Sequence, residues 1–235
     1  MSDGKSPWVI FDADNTLWAV EHLYDTARQK MCEYLGSKGI DPSVAEKYQR
    51  ARDQQLHVTY GYSACRFARS FEDTLLHFLA DAQPGDVYQV RSLALNVFEQ
   101  RSLLADGLED VLVRVSYAYQ MGIITAGERW VQERRLADFH LRDRFAAVEI
   151  VESKSEAVFR SFAAKRGIDP AISWVVGDSY RSDIQPAKAA GFRAILLETP
   201  NWAEVESQPG IVCPDAVIKS LKELVDVLGL DSPQS

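Results

Sequence analysis

A chain of 235 residues, 46% of them hydrophobic and 26% charged, can bury a sizeable core in one large or two modest domains. Its net charge of −8 argues against a nucleic-acid polymer as partner, since that interface depends on clustered Lys and Arg, but leaves a single phosphate ester within reach. Cys32, Cys65 and Cys213 are odd in number, widely spaced and without a C-x-x-C pair, so they indicate neither a disulfide framework nor a zinc site, and a reducing cytoplasm is the expected compartment.

The first predicted element is a buried strand, Trp8-Val9-Ile10-Phe11, which breaks off at Asp12-Ala13-Asp14-Asn15-Thr16. From Trp18 to about Ala105 apolar residues recur instead at helical spacing. Leu23, Ala27, Met31, Tyr34 and Leu35 trace one face, and Phe67, Phe71, Leu75, Phe78 and Leu79 another. Asp41 before Pro42 reads as an N-cap followed by proline at the first helical position, and a last helix is expected over 86–104, giving about four. After Gly107 the pattern alternates: helix 108–118, strand 119–125, helix 128–138, strand 146–151, helix 154–166, strand 172–177, helix 182–190, strand 192–197. The stretch 216–225 is amphipathic and is expected to pack on the sheet. Such alternation predicts a parallel, doubly wound α/β sheet of Rossmann-like type, to which the first strand belongs, with residues 18–105 inserted as a helical domain. No apolar run approaches the roughly 18 residues that span a bilayer, and the amino terminus has no apolar signal region, so no membrane partner is expected.

Three of these strands end in polar chemistry. Asp12 and Asp14 concentrate negative charge that can hold a hard cation or supply a nucleophile. Gly122-Ile123-Ile124 runs into Thr125-Ala126-Gly127, and Trp174-Val175-Val176 into Gly177-Asp178-Ser179, with Asp183 close behind. Ligands of open parallel sheets bind beyond the carboxyl ends of the strands, so the three ends converge on one crevice. Taken alone, the D-x-D is equally an acidic turn and Thr125 a helix cap.

Together these residues resemble the haloacid dehalogenase-like hydrolases, in particular the phosphoglycolate phosphatase-like enzymes with a helical cap inserted after the first motif. The resemblance rests on four motifs in order: Asp12-x-Asp14-x-Thr16, the hydroxyl of Thr125, a lysine at 154, and Gly177-Asp178 followed by Asp183. It implies a core domain of residues 1–17 and 106–235 and a cap of residues 18–105. It further implies an Mg²⁺-dependent phosphatase acting on a small phosphorylated metabolite. Asp12 would be the nucleophile that forms an aspartyl-phosphate, and Asp14 the general acid and base. Asp12, Asp14 through its backbone carbonyl, and Asp178 would hold the metal, with Asp183 bound through a water or supporting the direct ligands from behind. Thr16, Thr125, the backbone N–H groups of Ala126 and Gly127, and Lys154 would bind the phosphoryl group.

The match departs from many relatives at Ala126, where Asn is common, and at Lys154, which is followed by Ser155 rather than Pro. Lys165 and Lys188 are rivals for the lysine role, but they fall late in predicted helices. Dehalogenases of the family carry a non-acidic residue two positions after the nucleophile, so Asp14 favours phosphorus chemistry. Phosphonate hydrolysis uses a cap lysine, and Lys30, Lys38 and Lys47 have no evident active-site context. A phosphomutase of the β-phosphoglucomutase type shares every core motif and is the second reading; a non-catalytic binding module on the same fold is a third. In the insertion, Tyr60 to Arg69 could carry aromatic and cationic groups toward a substrate, or be an ordinary helix connection. Trp18, Glu21 and His22 could sit at the hinge or line the entrance. Nothing selects the metabolite or the oligomeric state.

Overall fold

A computed structural model describes residues 6–198 and 212–230. These residues divide into two compact units: one holds the chain up to Ala19, Leu103–Ala126 and everything from Gln132 onward; the other holds Val20–Ser102 with Gly127–Val131.

The first unit contains β1 (Trp8–Phe11), a two-stranded antiparallel ribbon of β2 (Trp18–Ala19) and β3 (Leu103–Leu104), and then β4 (Gln120–Ala126), β5 (Ala147–Val151), β6 (Trp174–Gly177), β7 (Arg193–Leu197) and β8 (Ala216–Ile218). Six of these form one sheet in the order β5-β4-β1-β6-β7-β8, every neighbouring pair parallel. Strands buried on both faces need continuous apolar runs, and the four residues of β1 are all buried. Trp8 and Ile10 join Phe162 and Val175 in one cluster, with Trp8 meeting Phe162 edge-on at 6.4 Å. Phe11 meets Phe145 edge-on at 5.9 Å. Gly122 is required where the sheet meets Phe162, because a Cβ there would lie 2.9 Å from the ring.

The second unit packs α1 (Glu21–Ser37), α2 (Pro42–Tyr60), α3 (Ala64–Phe78) and α4 (Pro84–Asn96). The apolar faces traced along α1 and α3 all enter its core, Tyr34, Phe78 and Leu79 at the margin. Asp41 caps α2, accepting from the Ser43 and Val44 N–H groups at 2.9 and 3.1 Å. A buried Gln49 to Ser70 hydrogen bond of 2.8 Å ties α2 to α3. No helix among the described residues is long and apolar enough to cross a membrane.

Three elements differ from the sequence expectation. The helix expected over 86–104 is α4, ending at Asn96. It starts earlier because Asp86 reaches back to the Gln83 N–H at 2.8 Å and Pro84 needs no donor. Leu103 and Leu104 pair instead with Ala19 and Trp18. The helix expected over 182–190 begins as a π-helical turn, Tyr180–Ile184, before α8 (Gln185–Ala189), following α5 (Leu108–Ser116), α6 (Arg129–Asp138) and α7 (Glu156–Arg166). Its wide turn allows the Asp183 carboxylate to accept from the Ser179 N–H at 3.0 Å. The amphipathic stretch 216–225 joins the sheet through β8 and only then turns helical, with a 3₁₀ turn at Leu221–Glu223 and α9 (Leu224–Val227). Rather than packing on the sheet throughout, the stretch supplies its edge strand beside β7.

Candidate active site

The sheet order brings the polar strand ends side by side. Phe11 is in register with Ile123 on one side and Val176 on the other, and the Asp12 N–H donates to the Val176 carbonyl at 2.8 Å. Asp12 therefore leaves β1 between Thr125 of β4 and Gly177-Asp178 of β6. This is the switch point of the sheet, where the chain has wound outward through β4 and β5 and crosses back to β6. Lys154 follows β5, two strand spacings or about 10 Å from β1, a span covered by the loop after β5 together with the lysine and aspartate side chains.

Beyond Asp12 the chain curls at once. The Thr16 and Leu17 N–H groups donate to the Ala13 carbonyl at 3.2 and 2.8 Å, and Asn15 sits at φ 61°. Asn tolerates that left-handed conformation better than other residues with a side chain, which explains an amide in the turn that separates Asp14 from Asp12. The Thr16 hydroxyl is buried with no partner among the described residues.

Carboxylate oxygens of Asp12, Asp178 and Asp183 lie within 4.8 Å of one another. Lys154, its side chain only 2% exposed, donates to Asp12 and, at 2.5 Å, to Asp183. Two buried carboxylates and the half-buried Asp178 against one ammonium leave a surplus of negative charge. Burial pushes the Asp12 carboxyl up to about 7, against the pull of Lys154 and with the push of Asp183. Burial also pushes Asp178 up to about 8, with Asp12 and Asp183 adding to the rise. The Lys154 ammonium is held charged because the two carboxylates outweigh its burial. Oxygen-only donors that need more positive charge than one lysine supplies fit a hard divalent cation such as Mg²⁺. Gly177 is obligatory, since a Cβ there would overlap the Asp183 carboxylate.

Lys165 pairs with Glu149 at 3.3 Å and Lys188 with Asp215 at 2.7 Å, neither of them part of this cluster.

The family model for haloacid dehalogenase-like hydrolases matches residues 7–191, most of the chain. The chain belongs to that family. Among relatives of this haloacid dehalogenase-like hydrolase are the glyceraldehyde 3-phosphate phosphatase of Methanopyrus kandleri, 24% identical over 94% of this chain and 96% of its own, and hexitol phosphatase B of Escherichia coli, 29% identical over the same shares. The pyrimidine 5'-nucleotidase YjjG of Escherichia coli is 25% identical over 95% of this chain and 98% of its own. A solved haloacid dehalogenase-like family hydrolase from Xanthomonas campestris shares the fold, with a TM-score of 0.78 at 21% identity over 97% of this chain and 94% of its own.

In this hydrolase Asp14 stands apart from the three clustered acids. Its Oδ1 accepts from the Trp18 indole at 2.6 Å, and its Oδ2 from Gln132 at 2.9 Å and Arg135 at 2.5 Å. Thr125, 1% exposed, donates its hydroxyl to Gln132 at 3.1 Å. Ala126 closes β4, and Gly127 follows at φ 140°. Gln132 and Arg135 are not legible in the sequence as site residues, because polar residues on a helix read as its solvent face. Their register carries a signal: Val131, Leu136 and Phe139 are apolar, and a helix that buries them carries 132 and 135 inward as well.

The cations marked within the helical unit are held in ion pairs, Arg66 with Asp53 at 2.9 Å and Arg69 with Asp73 at 2.8 Å. The His22 carbonyl accepts from the Thr26 hydroxyl at 2.7 Å.

Proposed function

We propose that this chain hydrolyses a small phosphomonoester by transferring the phosphoryl group to Asp12 and then to water. Asp12 attacks phosphorus as the bond to the leaving oxygen breaks, giving an aspartyl-phosphate. Asp14 gives its proton to that oxygen, then takes one from the water that attacks the intermediate. Lys154 offsets the charge of Asp12 and of the phosphoryl oxygens. The Thr125 hydroxyl and the N–H groups of Ala126 and Gly127 bind those oxygens ahead of α6, and the Thr16 hydroxyl, buried without a partner among the described residues, is assigned to them as well. Asp12, Asp178, Asp183 and the Asp14 carbonyl would hold Mg²⁺, which supplies positive charge against the repulsion between an anionic nucleophile and a phosphate. The helical unit, inserted in the chain between β1 and β4, is assigned the task of reading the leaving group.

The observation that carries this reading is the cluster of three carboxylates around one buried lysine at neighbouring strand ends. Relatives named for glyceraldehyde 3-phosphate, hexitol phosphate and pyrimidine nucleotide substrates support a small soluble phosphate ester. The same names favour hydrolysis over a mutase, and Asp14 favours phosphorus over carbon–halogen chemistry. The test is release of p-nitrophenol from its phosphate ester by wild type and Asp12→Asn, with Mg²⁺ and then with EDTA. Turnover only in wild type with Mg²⁺ is expected, followed by a panel of phosphorylated metabolites. Turnover by Asp12→Asn would exclude Asp12 as nucleophile.

A further inference from the structure

α6 carries two polar side chains on its buried face, and neither is accounted for by the chemistry above. Gln132 is 2% exposed and Arg135 6%. A buried guanidinium is costly unless paired. Arg135 donates through one terminal nitrogen to Asp14 Oδ2 at 2.5 Å, while its other terminal nitrogen is buried with no partner among the described residues.

The direction of the remaining hydrogen bonds is forced. A guanidinium only donates, so Asp14 Oδ2 is accepting, and the end of Gln132 that faces it at 2.9 Å is the amide NH₂. The amide oxygen of Gln132 therefore faces Thr125 and must accept, which aims the single Thr125 hydroxyl proton at Gln132, 3.1 Å away. In this arrangement Thr125 presents only lone pairs to an incoming anion. A phosphoryl oxygen needs a donor, and to supply one Thr125 must turn its proton away from Gln132.

We propose that Gln132 and Arg135 are positioning residues that hold Asp14 at rest and loosen their hold when a phosphoryl group takes the Thr125 hydroxyl; this rests on the phosphatase reading above. Held by Gln132, Arg135 and Trp18, the fourth carboxylate of the motif stays off a cluster already rich in negative charge. When Thr125 turns to the phosphoryl group, Gln132 loses one of its three partners, keeping only Asp14 and, at 3.4 Å, the Ala126 carbonyl, and its hold on Asp14 loosens so that the carboxyl can swing from Arg135 and Trp18 toward the leaving oxygen. Asp14 is thus delivered only once its substrate is seated, and on leaving the Arg135 guanidinium it takes up from solvent the proton that it gives to the leaving oxygen.

The test has two arms. In the ¹⁵N-labelled full chain with Mg²⁺, the Trp18 indole N–H resonance, identified by Trp18→Phe, reports the bond to Asp14. Inorganic phosphate is expected to move it in wild type, and Gln132→Leu to move it the same way without phosphate. A resonance that neither phosphate nor Gln132→Leu moves overturns the proposal. In the kinetic arm, Gln132→Leu and Arg135→Leu are expected to lower kcat on an alkyl phosphate at least about tenfold more than on p-nitrophenyl phosphate, whose leaving group needs little protonation. Arg135→Lys should restore part of that difference, and thermal melts confirm that each variant folds. An unchanged alkyl-to-aryl ratio in folded variants of an active enzyme overturns the proposal. Absence of turnover in wild type itself overturns the phosphatase reading and leaves the indole arm to decide the coupling.

Discussion

Binding of Mg²⁺ should be steeply pH-dependent in a way set by two numbers. Asp12 lies at about 7 and Asp178 at about 8, both raised from 3.8 by burial and by neighbouring carboxylates. As pH falls through these values each acid takes up a proton that a divalent cation must displace. At pH 6, displacing a proton costs about tenfold in affinity at Asp12 and about 100-fold at Asp178, or about 1000-fold for the pair relative to pH 9 if they titrate independently. That is roughly 4 kcal/mol of binding free energy. The two acids interact, so the protons leave in steps that belong to the pair, but the total released is unchanged. Calorimetric titration with Mg²⁺ at pH 6, 7, 8 and 9, in buffers of different ionisation enthalpy, would measure both the affinity and the protons released. A dissociation constant that changes less than about threefold across that range would refute the charge argument. Stability of the metal-free fold changes in the opposite direction to metal affinity. An acid whose folded pKa is raised stabilises the fold below its unfolded value, and that contribution is lost as pH rises through the folded one. The metal-free protein should therefore lose melting temperature from about pH 4 toward pH 8, and Mg²⁺ should recover it.

Lys154→Met removes the one cation from the buried cluster; it should abolish turnover and lower stability by about 3–5 kcal/mol, more at pH 8 than at pH 6, as read by denaturant melts at the two pH values. Gly177→Ala drives a Cβ into the Asp183 carboxylate, so it should cost about 1–3 kcal/mol by overpacking and also weaken Mg²⁺ binding, measured by the same titration. Gly122→Ala meets Phe162 instead, at 2.9 Å. It should cost a similar 1–3 kcal/mol or so with Mg²⁺ affinity unchanged, and a loss of metal binding there would contradict the separation of core from site.

Local patterning made much of the molecule legible. Apolar runs ending in Asp12, Thr125 and Asp178 marked the strands and their functional ends, because a buried strand has to change character where it meets solvent. Leu23, Met31, Phe67 and Phe71 disclosed the helical insertion, since a helix shows its core face at a fixed spacing. Asp41-Pro42 marked a helix start through hydrogen bonds confined to three residues.

What needed the tertiary structure lies where two distant segments decide one outcome. Leu103 and Leu104 are strand because Trp18 and Ala19 pair with them, and β8 is strand because β7 has an open edge. The negative surplus at Asp12, Asp178 and Asp183 exists only because β1 and β6 are neighbours and Lys154 arrives from beyond β5. The same holds for Asp14. Its place in the motif is local, but the Gln132 and Arg135 that hold it lie 118 and 121 residues away. The sequence by itself specified which residues could do chemistry, through short-range patterns; which charges meet, and which polar side chains are buried to hold them, was decided by packing alone.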